Sequence, residues 1–202
     1  MNTSSKWPVL RTIRWVSWAL VALVVAILVL AWAQKAFLTP AEAKPYATPF
    51  ELTDQNGKTV TEQNLLGKPS AWFFGFTHCP DVCPTALAEM AQVLTELGPD
   101  ADKLTVVFVS VDPARDTPAL LKDYVAYFDE RIVALTGDEQ QLHQMTKARY
   151  IYYKKVGDGD SYEMDHTAGV QLVHADGRFF GTLDSHEAAD VRLRKVRRLI
   201  GG

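Results

Sequence analysis

The sequence predicts an α/β sandwich, a sheet with helices on both faces, preceded by a single membrane-spanning helix. Three observations predict it. Trp15–Ala33 (WVSWALVALVVAILVLAWA) is apolar and carries no charge, which is enough to cross a hydrocarbon layer as a helix. Short apolar runs at Ala71–Phe76, Leu104–Val111 and Ile132–Leu135 alternate with segments of helical period, the pattern of strands covered on both faces. Two further strand-like runs and a basic helix close the chain. The 202 residues, 48% hydrophobic and 22% charged, suit one globular domain with an appendage and exclude a disordered, collagen-like or multispan chain.

Charge and aromatic placement orient the span. Lys6, Arg11 and Arg14 precede it, whereas Lys35 and Lys44 follow, offset by Glu42. The positive-inside rule puts residues 1–14 in the cytoplasm, 15–33 in the membrane and the rest on the far side, which in a bacterium is the periplasm. Trp15, Trp18 and Trp32 lie near the ends of the span, where indole rings favour the interface. Ala31-Trp32-Ala33 also fits a signal-peptidase site, so cleavage before Gln34 is the rival of a retained anchor; the apolar run is longer than a usual signal core. Residues 1–44 carry a balance of +4, so with a net charge of -3 the remainder carries -7. An acidic body argues against non-specific nucleic-acid binding.

Residues 34–48 contain two prolines and no clean period, and read as a tether, leaving 49–202 as the domain. Asn56-Gly57 between Phe50–Thr53 and Lys58–Val60 signals a hairpin. Leu87, Met90, Val93, Leu94 and Leu97 place a helix over 85–98. Thr117 is an N-cap with Pro118 at the first helical position, and Leu120, Leu121, Tyr124, Val125 and Phe128 make the stripe that follows. A third helix covers 138–149. Tyr150–Lys155 and Gly169–His174 flank a polar stretch, and a turn at 175–178 leads into Phe179–Leu183. Ser185 or Asp184 caps a final basic helix over 187–200, whose Arg192, Arg194, Lys195, Arg197 and Arg198 suit a solvated face and a C-terminal dipole.

The strongest chemical feature is Gly75–Pro84 (GFTHCPDVCP), where a buried strand ends and a helix begins. Ligand sites in such sheets lie at the C-terminal ends of strands, and the helix start favours thiolates. Cys79 and Cys83 are the only cysteines and must be read as one unit. A structural disulfide across so short a loop stabilises little. Thioredoxin-type exchange uses two intervening residues, not three, and its late proline has no counterpart, since no proline follows Pro118. A soft-metal site suits two thiolates and needs a third ligand.

Five histidines are candidates for it. His78 adjoins Cys79 and points away; His143 lies on a helix surface; His174 sits beside a turn and His186 near a helix cap. His166, in Glu163–Thr167 (EMDHT) just before a strand, could complete an S2N site with Asp165 as its outer partner; on spacing alone a surface-loop histidine is an equal reading. Met164 is a candidate thioether ligand that packs more simply against its surroundings.

GFTHCPDVCP at Gly75–Pro84, VDPARDT at Val111–Thr117 and Asp165-His166-Thr167, in this order, resemble the SCO/SenC copper proteins, over roughly residues 48–190. The resemblance implies a thioredoxin-like fold with a β-hairpin inserted before the late strand. It implies a copper chaperone, rather than an enzyme, that assists assembly of cytochrome c oxidase at the binuclear copper site of subunit II. Cys79, Cys83 and His166 are then the copper ligands, for Cu(I) with Cu(II) left open as a second state. Asp112, Arg115 and Asp116 shape a loop near the site. Thr167 stands where serine is common in the family and preserves the hydroxyl. A Cys79–Cys83 disulfide would gate the site, and outside the cytoplasm that implies a thiol reductant of thioredoxin type as a partner. Two alternatives stay open: a thiol–disulfide oxidoreductase that reduces the copper-site cysteines of the oxidase subunit, and a peroxiredoxin-like peroxidase acting through Cys79.

Overall fold

The computed structural model describes residues 7–37, 43–159 and 161–201. They divide after Glu42 into two units, each described by itself. In the first, helix α1 (Trp7–Phe37) covers the predicted span, and Thr12–Leu30 is long and apolar enough to cross a membrane. Ser17 is polar within this stretch and donates its hydroxyl to the Ile13 carbonyl at 2.9 Å, which satisfies it inside the helix, as an apolar solvent requires. Residues 34–37, predicted as tether, continue the helix, and 38–42 lie outside the described residues.

The second unit begins before residue 49. A single 3-10 turn, Pro45–Ala47, buries Tyr46, so the predicted tether is corrected at its far end. The Tyr46 ring packs on Trp72 with centroids 5.0 Å apart, its hydroxyl pairs with Gln171, and its N–H donates to the Gly177 carbonyl at 3.2 Å. The buried Arg149 guanidinium lies 5.3 Å from that ring and 5.0 Å from Phe50, and donates to the Thr48 carbonyl at 3.2 Å. Gly177 has φ +84°, and a Cβ there would stand 2.6 Å from the Ala47 nitrogen, so only glycine lets the N-terminal segment approach. Local pattern could not show this burial, because its partners lie elsewhere in the chain, from Trp72 to Gly177.

The elements that follow are β1 (Glu51–Asp54), β2 (Thr59–Thr61), α2 (Glu62–Leu65), β3 (Ser70–Gly75), α3 (Val82–Leu97), β4 (Thr105–Ser110), α4 (Pro118–Ala126), β5 (Val133–Thr136), α5 (Glu139–Ala148), β6 (Tyr153–Val156), β7 (Glu163–His166), β8 (Val170–Val173), β9 (Phe179–Leu183) and α6 (Ala189–Ile200). Seven strands form one sheet in the order β2-β1-β5-β4-β3-β8-β9. β3, β4 and β5 are parallel, and β1 and β8 flank them antiparallel. This is the α/β sandwich the alternation predicts. Successive residues of β3 point to opposite faces. Ala71 and Phe73 join a core with α3, α4 and α6, whereas Trp72 and Phe74 join a second core with α5 and Tyr46. All six β3 residues are buried, as a central strand covered on both faces requires.

The predicted hairpin over 50–60 is β1–β2, with Leu52 opposite Val60. Thr117 caps α4, its side chain accepting from the Leu120 N–H at 3.3 Å, with Pro118 next. The polar stretch before β8 is not a loop. It folds as a separate hairpin, β6–β7, with Tyr153 opposite His166 and Val156 opposite Glu163, the insertion that the family resemblance implies. The last helix departs from prediction at its start. α6 begins at Ala189 after Ala188, with no side-chain cap, and Asp184 instead accepts from the His186 N–H at 3.0 Å within the preceding turn. Nor is its basic face simply solvated: Arg192 is buried and pairs with Glu89 of α3 at 3.0 Å.

Tyr46→Ala should cost about 3–5 kcal/mol of unfolding free energy, the range for deleting a buried aromatic ring. Urea unfolding followed by far-ultraviolet circular dichroism measures it; a loss within about 0.5 kcal/mol, normal for a surface position, would return residues 45–48 to the tether.

Candidate metal centre

The sheet's topology assembles the site. β3 ends at Gly75, the loop 76–81 carries Cys79, and α3 begins at Val82 with Cys83 and Pro84 in its first turn. Pro84 has no N–H, which costs nothing at a helix start. The Cys83 N–H, one of the groups a helix start leaves without an intrahelical acceptor, donates to the Cys79 sulfur at 3.4 Å. The second half arrives from β7. His166 is its last residue, not a loop residue, and its Nε2 lies 3.6 Å from the Cys83 Sγ. Among the described residues, Cys79, Cys83 and His166 form the one group of Cys, His, Asp and Glu placed to hold a metal ion, with their ligand atoms all within 4.8 Å of one another.

The imidazole is held in a defined state. Its Nδ1 stands 3.0 Å from the Thr167 backbone carbonyl. A carbonyl only accepts, so Nδ1 carries the proton, and in the neutral ring Nε2 turns its lone pair toward the sulfurs. Phe73 and Phe76 meet the ring edge-on, with centroids 6.0 and 5.9 Å away. Cys83 is fully buried, and burial pushes its thiol well above the ordinary range. Cys79 is half-buried and forms the accessible side. Gly75 makes room for both parts: a Cβ there would lie 2.7 Å from the Cys83 sulfur and 2.9 Å from Phe73.

The loop 111–117 binds the two parts to the body. The buried Asp116 carboxylate accepts from the Thr77 N–H at 3.0 Å, the Thr77 hydroxyl at 2.6 Å and the Ser110 hydroxyl at 2.6 Å, fixing the residues just before Cys79. Asp112, also buried, pairs with Arg115 and accepts from the Tyr162 hydroxyl at 2.6 Å. Arg115 donates to the Tyr162 carbonyl at 3.1 Å and lies 3.6 Å from that ring's centroid. Asp112, Arg115 and Asp116 therefore do shape the site's surroundings, as the resemblance implies. Sequence reasoning missed Thr77 and Tyr162; the one signal for Tyr162 was an aromatic residue inside a polar stretch.

The remaining candidates fall elsewhere. Asp165, expected beside the metal, is exposed, because strand neighbours point to opposite faces; the Thr167 carbonyl takes the place foreseen for it. Met164 packs against both cores. His78 is exposed, with Nδ1 3.1 Å from the Thr77 hydroxyl. His143 and His186 are exposed, and His174 meets Phe180 edge-on at 5.2 Å.

Residues 39–201 match the SCO1/SenC family. The chain belongs to that family. This SCO1/SenC chain is 39% identical to the mitochondrial protein SCO2 of Saccharomyces cerevisiae over 156 residues, covering 75% of its own length and 52% of the yeast protein's; it thus spans about half of that relative. Among solved structures it is similar to ScoI of Bradyrhizobium japonicum with copper bound, at 46% identity and a TM-score of 0.71 over 75% of this chain and 98% of that one. ScoI of Arabidopsis thaliana with copper bound is 33% identical, with a TM-score of 0.71 over 76% and 97%. The sheet and its flanking helices are thus the thioredoxin-like fold of the Sco proteins.

The two cysteines should differ sharply toward alkylation. In the reduced chain at pH 8, Cys79 should be modified at least tenfold faster than Cys83, whose buried thiol stays protonated and unreactive. At pH 10 Cys83 should still react slowly, because burial keeps its thiol protonated there. Timed labelling read by peptide mass spectrometry checks both; equal rates at pH 8 would contradict the burial.

Proposed function

We propose that this chain is a membrane-anchored copper chaperone that binds Cu(I) through Cys79, Cys83 and His166. Its recipient is cytochrome c oxidase during assembly, at the binuclear copper site of subunit II. The observation that carries the reading is the convergence of two sulfurs and an Nε2 lone pair within 4.8 Å. Thiolates and imidazole are soft to borderline donors, and three of them suit Cu(I) better than the hard cations. Copper bound in the related ScoI proteins of Bradyrhizobium japonicum and Arabidopsis thaliana supports it. The family resemblance supports the oxidase as recipient.

The geometry gives copper a route in and out. Both thiols lose protons on binding. Because burial raises the Cys83 thiol, uptake strengthens as pH rises toward that thiol's range. With three protein ligands and an accessible Cys79 side, an incoming partner thiolate can attack the metal and take it by ligand exchange. Exchange with a partner disulfide oxidises Cys79 and Cys83 to a disulfide, passes two electrons and two protons to the partner, and removes both thiolate ligands. A dithiol reductant of thioredoxin type restores them by exchange and leaves as its own disulfide. Helix α1 anchors the chain, with residues 1–14 in the cytoplasm and the domain on the periplasmic side of a bacterial inner membrane, so recipient and donor share one surface and a raised effective concentration.

A second reading has its own observation. The Cys79 sulfur is accessible and accepts the Cys83 N–H, an arrangement that also serves dithiol exchange with the oxidase subunit. His166→Ala separates the two. In anaerobic titration of Cu(I) against a competing chelator, the parent should bind one copper per chain and the variant should bind at least 100-fold more weakly, since an outer partner of a ligand alone is worth about 10–100-fold. Binding indifferent to His166 would overturn the chaperone site and favour dithiol exchange.

A further inference from the structure

The hairpin that carries His166 lies outside the main sheet. A cleft of about 530 Å³ opens between it and the loops after β4 and β5, lined by Tyr153, Lys155, Tyr162 and Met164 on the hairpin side and by Asp112 and Asp138 among the residues opposite. Beside the cleft, Met164 and Tyr153 pack the hairpin against the cores. Two side chains tie the hairpin to the loop after β4: the Tyr162 hydroxyl, which donates to Asp112 at 2.6 Å, and Arg115. Arg115 pairs with the buried Asp112 and donates to the Tyr162 carbonyl at 3.1 Å. Its guanidinium stacks on the Tyr162 ring at 3.6 Å and lies 5.8 Å from the centroid of Phe76. Tyr162 begins the segment that leads through β7 to His166, and Phe76 meets the His166 ring edge-on.

We propose that Arg115 is a positioning residue for His166. It holds the hairpin through Tyr162, and the ring through Phe76, at the distance where Nε2 faces the two sulfurs. The proposal rests on the copper reading for its consequence but not for its geometry. A planar fork suits it: one edge pairs with a carboxylate, another reaches a carbonyl, and the face stacks on a ring. Lysine can do only one of these at a time. Preorganisation of this kind lowers the ordering cost of binding. Phe76 belongs to the Cys79 loop, its carbonyl accepting the Cys79 N–H at 3.3 Å, but Asp116 holds that loop through Thr77, so losing the Arg115 contact leaves the cysteines in place.

Arg115→Lys keeps the charge against Asp112 and removes the fork and the stack. The test uses the full chain, reduced, in detergent micelles. Cu(I) affinity by chelator competition should fall about tenfold, within the range for outer partners of metal ligands. The Cys79–Cys83 reduction potential should stay at the parent value. In a His166→Ala background, Arg115→Lys should cause no further loss. Without copper, the 15N spectrum of His166 should show a single Nδ1–H tautomer in the parent and exchange broadening in Arg115→Lys. Unchanged copper affinity and an unbroadened His166 signal, or a loss that persists in full on His166→Ala, would overturn the proposal. Should the parent itself bind copper without regard to His166, the copper reading fails, and the His166 spectrum alone decides the role of Arg115. Arg115→Gln keeps a side-chain donor but loses the charge and the stacking fork; it should give the same pattern, and it carries the test if Arg115→Lys does not fold.

Discussion

Strands β3 and β8 run antiparallel, with Ser70 opposite Val173 and Trp72 opposite Gln171, and the metal centre depends on that register. A strand that points toward the site lies beside one that starts from it. The residues just after β3 therefore meet the residues just before β8, although Cys83 and His166 are 83 positions apart. A slip of one residue would invert every β8 side chain, and the buried Leu172 and Val173, which face the two separate cores, make that slip costly. The hydrophobic core, to which Cys83 itself belongs, thus fixes the position of the site.

Two buried carboxylates do the local work. Asp112 and Asp116 are 2% and 0% exposed, and a carboxylate so placed needs several donors. Asp116 finds them in Ser110 and in Thr77, beside the cysteine loop. Asp112 finds them in Arg115 and Tyr162, at the root of the histidine strand. The turn between the two carboxylates closes on itself, with the Asp116 N–H donating to the Asp112 carbonyl at 2.9 Å. One short loop therefore ties together two halves of a site that approach from opposite directions in the chain.

The sequence made some of this legible and hid the rest for physical reasons. The strands of the parallel centre announce themselves as apolar runs because both their faces are covered. The cysteine pair could be placed at a strand-to-helix junction from Gly75–Pro84 alone. His166 could not be separated from a surface histidine by spacing; only the joint resemblance of three motifs pointed to it. The β6–β7 hairpin was opaque because its residues are mostly exposed or half-buried, so hydropathy carries no period there. Tyr46 reads as tether because its burial depends on Trp72, Arg149 and Gly177, none of them local in sequence. Adjacency in sequence suggests Asp165 near the metal, but in a strand adjacency puts a neighbour on the other face.

The bond that sets the imidazole's protonation runs to the main chain of Thr167 and not to a side chain. Every residue type brings the same carbonyl to position 167, so no side-chain replacement there deletes the acceptor, whatever it does to the hydroxyl that meets the Tyr152 N–H. The choice of which ring nitrogen faces the sulfurs is in this sense encoded by backbone path alone. Genetic drift at position 167 can alter how firmly the strand end is held while leaving the coordinating nitrogen's identity untouched.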